Sequence, residues 1–171
     1  LPKIGAVKKV TAKYCVPISD NPRLVDPVRL GGALVDIGVY PLRYSYELFG
    51  MPERIVCEGK VEGGVDNKEK VTLSYGGFEA EIDINMDEYL GEEYVIEGEK
   101  GCIRVPWFHC AREAFLSGEE EAHFEDDSPK YGTQMRRVSE EIAAGRKESA
   151  YCPPAHTLDV MRILDECRRQ M

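Results

Sequence analysis

The middle of the chain alternates apolar and polar residues with a period of two, and short turn sequences interrupt this alternation. The stretches "KVTLSY" (70–75) and "FEAEIDINM" (78–86) flank the glycine pair Gly76-Gly77. Alternation of this kind indicates β-strands with one buried face, and a two-residue glycine turn joins two such strands into a hairpin. This part of the chain therefore predicts antiparallel β-sheet.

The same alternation predicts further strands on both sides of this hairpin. A long strand is expected over 4–18, and others are expected over 53–62, 93–97 and 102–105. The sequence "GGVDNKE" (63–69) predicts a turn, and one more hairpin is expected over 113–126. Consecutive strands joined by tight turns form an antiparallel or mixed sheet rather than a doubly wound parallel one.

Near the end of the chain the apolar residues change to helical spacing, over 135–143 and over 158–167, and Pro153-Pro154 opens the second of these helices. The order of elements predicts an α+β fold: an open mixed, mostly antiparallel β-sheet with helices packed on one face. The predicted helices are too few to cover both faces of the sheet, so the other face stays open. We expect this face to form a homodimer or a higher oligomer.

Composition excludes several classes of protein. The chain has 171 residues, which fits one domain, and its net charge of −9 argues against nucleic acids and anionic membranes as partners. No apolar run is long enough to span a bilayer. The six cysteines form no C-x-x-C pair, so we expect reduced, buried thiols in a cytoplasmic protein. The start Leu-Pro-Lys, without Met or a signal peptide, predicts a fragment of a longer protein.

The stretch "RLGGALVDIGVYPLRYSYELFG" (29–50) reads as a helix with awkward residues at its start. A proline is tolerated in the first turn of a helix but not in its middle, so we expect a break near Gly38, with a short turn over 32–36 and a second helix over 39–49. Spacing alone predicts that Asp36 caps this second helix and that Tyr40 is packed. The pair Gly31-Gly32 has no nucleotide-loop spacing and predicts close backbone approach or positive φ.

The histidines and the tryptophan give weaker indications. His109, His123 and His156 are too scattered to predict a metal site, and we expect surface or capping roles for them. Trp107 lies beside Phe108 in "VPWF". Two interpretations of this aromatic pair stay open: a core or interface cluster, or the wall of a substrate pocket.

The stretch "DNPRLVDPVRLGGALVDIGVYPLRYSYELFG" (20–50) resembles the G-G-A-L-x-D-x-G-x-[HY] signature of the Gfo/Idh/MocA oxidoreductase family. "FGMPERIV" (49–56) is similar to the family's helix exit, and residues 131–171 are similar to its closing pair of helices. The tyrosine form, together with "NPRLVDP", resembles the branch of dihydrodiol dehydrogenases, xylose dehydrogenases and glucose–fructose oxidoreductase.

The resemblance implies a two-domain enzyme in which an N-terminal Rossmann domain binds NAD or NADP. Residues 1–171 would be its C-terminal domain, which binds a polyol or sugar substrate and forms the dimer. The Rossmann glycine fingerprint and the family's E-K-P motif are absent from this sequence. We therefore expect the isolated chain to bind no dinucleotide and to be inactive.

The resemblance also implies roles for individual residues. Tyr40 occupies the catalytic position of the signature and Asp36 its acidic position, while Gly31, Gly32 and Gly38 are its structural glycines. Arg23 and Trp107 are expected to contact substrate. A tyrosine phenol, with a pKa of about 10 in water, can serve as an acid or base beside a cation such as the E-K-P lysine. The function implied is hydride transfer between nicotinamide and a sugar-like or diol carbon; the alternative is a non-catalytic small-molecule-binding or dimerisation module.

Overall fold

In this computed structural model, the described residues, 1–129 and 131–171, form one eight-stranded sheet and three α-helices. The strands are β1 (Val7–Cys15), β2 (Arg54–Glu62), β3 (Val65–Tyr75), β4 (Phe78–Asn85), β5 (Gly91–Gly98), β6 (Gly101–Pro106), β7 (Glu113–Gly118) and β8 (Ala122–Glu125). The helices are α1 (Val39–Phe49), α2 (Gly132–Ala143) and α3 (Pro154–Gln170). The strand order across the sheet is β2-β3-β4-β1-β5-β6-β7-β8.

The first strand lies inside the sheet, between β4 and β5. It pairs in parallel with β4, where Val10 faces Ala80, and antiparallel with β5, where Val10 faces Ile96. The other paired strands run antiparallel. A parallel pair needs a long crossover, and here α1 and the β2–β3 hairpin supply it. The predicted α+β fold with an open, mixed and mostly antiparallel sheet is therefore confirmed.

The turn predicted over 63–69 is shorter than expected. The turn itself is made by Gly63 and Gly64, both with positive φ, and β3 already begins at Val65. The acidic residues Asp66 and Glu69 fall within the predicted turn, yet both are buried in the strand. Asp66 accepts a hydrogen bond from Leu34 N, and the burial of both carboxylates depends on contacts that alternation does not reveal.

One face of the sheet carries the core. Its central strands contribute alternate, fully buried apolar residues, among them Val10, Val71, Leu73, Ile82 and Tyr94. Helices α1 and α3 cover this face with Leu42, Val160, Ile163, Leu164 and Cys167. At the outer edge, Gln170 accepts a hydrogen bond from Cys57 N at 2.8 Å and donates one to Ile55 O at 3.0 Å. This side chain therefore ties the end of α3 to the backbone of the edge strand β2.

The opposite face, called the open face, is polar and carries charges that alternate in sign from strand to strand. Lys9 and Lys13 of β1 lie on this face because their positions alternate with the buried ones. Their neighbours on β4 and β5 are acidic residues. Lys9 pairs with Glu81 at 2.9 Å, and Arg104 of β6 pairs with Glu93 of β5 at 2.9 Å.

Helix α2 differs from its two companions, because none of its residues is buried. The apolar residues that define its predicted face are exposed: Met135 by 63%, Val138 by 45% and Ile142 by 68%. The predicted helix is therefore present, but its apolar face is uncovered in the described part of the chain.

The cysteines of the described residues are free thiols. Cys15, Cys57 and Cys167 are buried as predicted, whereas Cys110 and Cys152 are exposed, so the expectation of burial is wrong for these two. Within residues 1–129 and 131–171, none of the helices combines the length and apolar character that a bilayer crossing requires.

Candidate active site

The signature segment begins with two glycines that are packed against neighbouring atoms. A Cβ atom on Gly31 would lie 2.3 Å from Leu24 O, and Gly32 has a φ of 130° beside the Asp66 carboxylate. Gly32 N also donates a hydrogen bond to Leu24 O at 2.9 Å. The prediction that these glycines allow close approach and positive φ is therefore confirmed.

The break predicted near Gly38 is instead a wide helical turn. Residues Leu34–Gly38 form a π-helical turn that runs directly into α1, and Gly38 itself is helical with φ −65° and ψ −29°. The second helix over 39–49 is confirmed. Because the chain does not leave the helix, there is no separate N-terminus for Asp36 to cap. Single π turns of this kind occur often at functional sites.

Asp36 pairs with Arg23 of the preceding loop instead. The Arg23 guanidinium donates to Asp36 Oδ1, and the Asp36 side chain is 26% exposed. Below this pair, Leu34 N donates to the buried Asp66 Oδ2 at 2.7 Å. Two carboxylates thus hold the signature segment, one at the surface and one in the core.

Tyr40 stands at the start of α1 with its side chain half exposed. Its ring makes edge-to-face contacts with Tyr14 and His109, with 5.7 Å between ring centroids in each case. A cavity of about 450 Å³ adjoins it. This cavity is lined by Val39, Tyr40, Arg43, Tyr44, Glu47, Phe108 and His109. Tyr40 is therefore packed on one side, as spacing alone predicted, and open to a cavity on the other.

His109 has a more specific setting than a surface or capping histidine. Its Nδ1 atom pairs with Glu92 Oε1, and the Glu92 side chain is only 1% exposed. The imidazole also stacks on Tyr14, with 5.2 Å between centroids and 17° between planes. Burial, reinforced by the nearby charge of Glu92, raises the pKa of Tyr14 far above its usual range, so this phenol stays protonated.

Trp107 lies in the wall of a second cavity of about 410 Å³, which His109, Cys110 and Arg112 also line. Its side chain is half exposed, and its backbone N–H donates to Glu92 O at 3.0 Å. Of the two interpretations left open, the structure places Trp107 in a cavity wall; whether substrate touches it stays a prediction.

The structure thus brings Tyr40 together with three residues that sequence reasoning missed: Tyr14, Glu92 and His109. One signal was present in the sequence, because Glu92 shares the inward phase of β5 with Tyr94 and Ile96. A carboxylate at an inward position needs a partner. No cluster of three or more potential metal ligands occurs among residues 1–129 and 131–171.

Known proteins resemble the chain over nearly its full length. It is 31% identical to a trans-1,2-dihydrobenzene-1,2-diol dehydrogenase of Danio rerio, over 98% of the chain and 54% of that protein. It is 29% identical to the scyllo-inositol 2-dehydrogenase (NADP(+)) IolU of Bacillus subtilis (strain 168), over 100% of the chain and 56% of that protein. The chain therefore spans about half the length of the curated relatives it matches.

Solved structures share the fold. The aldose-aldose oxidoreductase from Caulobacter crescentus, crystallised with glycerol, superposes with a TM-score of 0.80 at 20% identity, over 98% of this chain and 54% of that one. The model of the GFO/IDH/MocA C-terminal domain matches residues 2–104. Because this match covers more than half of the chain, the chain belongs to the GFO/IDH/MocA C-terminal domain family.

Proposed function

We propose that this chain is the substrate-binding and oligomerisation domain of an NAD(P)-dependent dehydrogenase that oxidises a sugar-like or diol carbinol. Residues 1–171 would form one domain, preceded in the full-length protein by a dinucleotide-binding domain. The family supports this proposal, as do relatives whose names specify a dihydrobenzenediol and an inositol. The observation that carries it is the half-exposed Tyr40 phenol, which borders a cavity and follows the Arg23-paired Asp36 by four residues. The free thiols of the described residues support a cytoplasmic location.

In this proposal Tyr40, present as the phenolate, accepts the proton of the reacting hydroxyl and becomes the phenol, while the hydrogen on the same carbon leaves as hydride. The alcohol thereby becomes a carbonyl, and NAD or NADP supplies the hydride acceptor when bound. Asp36, oriented by Arg23, binds substrate. Trp107 and Arg23 make further substrate contacts. A positioned acid or base of this kind contributes about 10²- to 10⁴-fold to a rate.

The residues present fit one end of a nicotinamide dinucleotide and not the other. The cavity beside Tyr40 has aromatic and aliphatic walls, from Val39, Tyr44 and Phe108, that suit a flat ring. The Gly31-Gly32 pair offers no phosphate cradle, because Leu24 O and the Asp66 carboxylate fill the space where one would lie. The phosphates would therefore be held by the preceding domain.

The test is the Tyr40→Phe variant of the full-length protein, assayed with NADP⁺ and a cyclic polyol such as scyllo-inositol. We expect kcat/KM to fall by about 10²-fold or more, while NADPH binding, followed by fluorescence, stays unchanged. Tyr89→Phe is the matched control, since Tyr89 is 59% exposed in the β4–β5 loop. Unchanged turnover in Tyr40→Phe would remove this phenol from the reaction.

A further inference from the structure

The burial of Glu92 is unfavourable for folding. Glu92 lies at an inward position of β5, and its side chain is 1% exposed. A buried carboxylate costs several kcal/mol unless a partner compensates it. Its side-chain partner is His109, 17 residues later in the chain. A hydrophobic residue would serve the core equally well, so the pair calls for a role outside folding.

The surroundings of His109 fix both its orientation and its tautomer. Tyr14 stacks on one face of the ring, and Tyr40 makes an edge contact at 74° between planes. The buried Glu92 carboxylate accepts a hydrogen bond from Nδ1–H, so in the neutral imidazole Nε2 carries the lone pair. No other hydrogen bond of this ring is found among residues 1–129 and 131–171. Nε2 is therefore a hydrogen-bond acceptor in a fixed orientation, and it has no partner among these residues.

His109 lines both cavities described above: the one that adjoins Tyr40 and the one whose wall contains Trp107. A ligand that presents one hydroxyl to Tyr40 therefore lies within reach of the His109 ring. An acceptor nitrogen at this place suits a second hydroxyl on the neighbouring carbon. Apolar groups of the ligand would meet the rings of Phe108 and Trp107.

We propose that His109, held by Glu92, binds the hydroxyl adjacent to the carbinol that Tyr40 deprotonates, and so selects vicinal diols over simple alcohols. This inference rests on the proposed dehydrogenase function. The second hydroxyl donates its hydrogen bond to Nε2 and is not itself oxidised. When a substrate lacks the second hydroxyl, the partly buried His109 Nε2 stays without a hydrogen-bond donor, which lowers the affinity for that substrate.

The test compares two substrates of the full-length enzyme with its dinucleotide: trans-cyclohexane-1,2-diol and cyclohexanol. In the wild type we expect kcat/KM to favour the diol. His109→Phe keeps the aromatic ring but removes the acceptor, so kcat/KM for the diol should fall by about 10- to 100-fold while that for cyclohexanol changes little. Glu92→Gln, which loosens the tautomer, should reduce the same preference. His123→Phe is the control, since His123 lies on the distant β8.

The outcomes separate this inference from the proposed function. If His109→Phe lowers kcat/KM for both substrates equally, or leaves the ratio of the two kcat/KM values unchanged, the Glu92–His109 pair has a structural role and the inference is overturned. If Tyr40→Phe turns over both substrates as well as the wild type, the proposed function fails instead. Thermal unfolding of each variant, followed by circular dichroism, verifies that the compared proteins are folded, and His109→Asn replaces His109→Phe should the latter not fold.

Discussion

The buried Glu69 predicts a measurable dependence of stability on pH. This residue lies at an inward position of β3 and is 4% exposed, and Asp66 of the same strand is fully buried. Burial, followed by the charge of Asp66, raises the pKa of Glu69 from 4.5 to about 9. The native protein therefore holds a proton at neutral pH that the unfolded chain has already released.

The sign and size follow from proton linkage. Because the native state binds the extra proton between pH 4.5 and about 9, its stability is greatest below this window and falls as the pH rises through it. The fall is about 1.4 kcal/mol per pH unit. Between about pH 5 and about pH 7.5, Glu69 should therefore cost the fold about 3 kcal/mol.

The Glu69→Gln substitution removes this ionisation and keeps the shape of the side chain. We expect the variant to match the wild type at about pH 5 and to exceed its free energy of unfolding by up to about 3 kcal/mol at about pH 7.5. Urea unfolding of the 171-residue chain, followed by far-ultraviolet circular dichroism at both pH values, measures the difference. Glu58→Gln, at an exposed position of β2, is the matched control. A difference between Glu69→Gln and wild type that does not grow with pH would refute the reasoning.

Two further predictions concern the signature glycines and the open face. Gly31→Ala should lower stability by about 1 to 3 kcal/mol, because its Cβ would lie 2.3 Å from a backbone oxygen. Gly77→Ala is the control and should leave stability unchanged, since a Cβ there meets nothing within 4 Å. Thermal unfolding compares the two variants, and equal melting temperatures would contradict the close approach at Gly31. If the open face forms the proposed dimer, Lys9→Glu with Lys13→Glu should raise the monomer fraction in sedimentation of the full-length protein, since like charges would then meet across the interface. Arg162→Glu on α3, the helix that covers the opposite face, is the control, and an unchanged sedimentation profile in the double variant would exclude the open face.

The sequence predicts best the features that are set by neighbours along the chain. Pro41 predicts a helix over 39–49 that begins just before it; the helix is present, although the π turn runs into it without the expected break. The β3–β4 hairpin follows from Gly76-Gly77 in the same way. Both are confirmed by the structure.

What the sequence hides depends on contacts between distant residues. Asp66 and Glu69 fall within the predicted turn, yet neighbours that lie elsewhere in the chain bury them. Asp36 was expected to cap a helix, but its partner is Arg23. His109 is paired with Glu92 and stacked on Tyr14, which lies nearly a hundred residues earlier in the chain than His109. Local spacing could place Tyr40, yet it could not identify the residues around it.

The π turn over Leu34–Gly38 sets the register between two parts of the signature. A π turn holds one residue more than an α turn of the same rise, so deletion of one residue here would restore regular α geometry. An α residue advances about 100° around the axis, whereas the π turn spreads the same circle over one residue more, so the deletion would move the residues of the turn around the axis while the segments on either side kept nearly the same orientation. Asp36 would then swing away from Arg23 while Tyr40 kept its place. The extra residue therefore acts as a spacer that phases the acidic position against the tyrosine, and homologous sequences should vary in side chains within this turn far more readily than in its length.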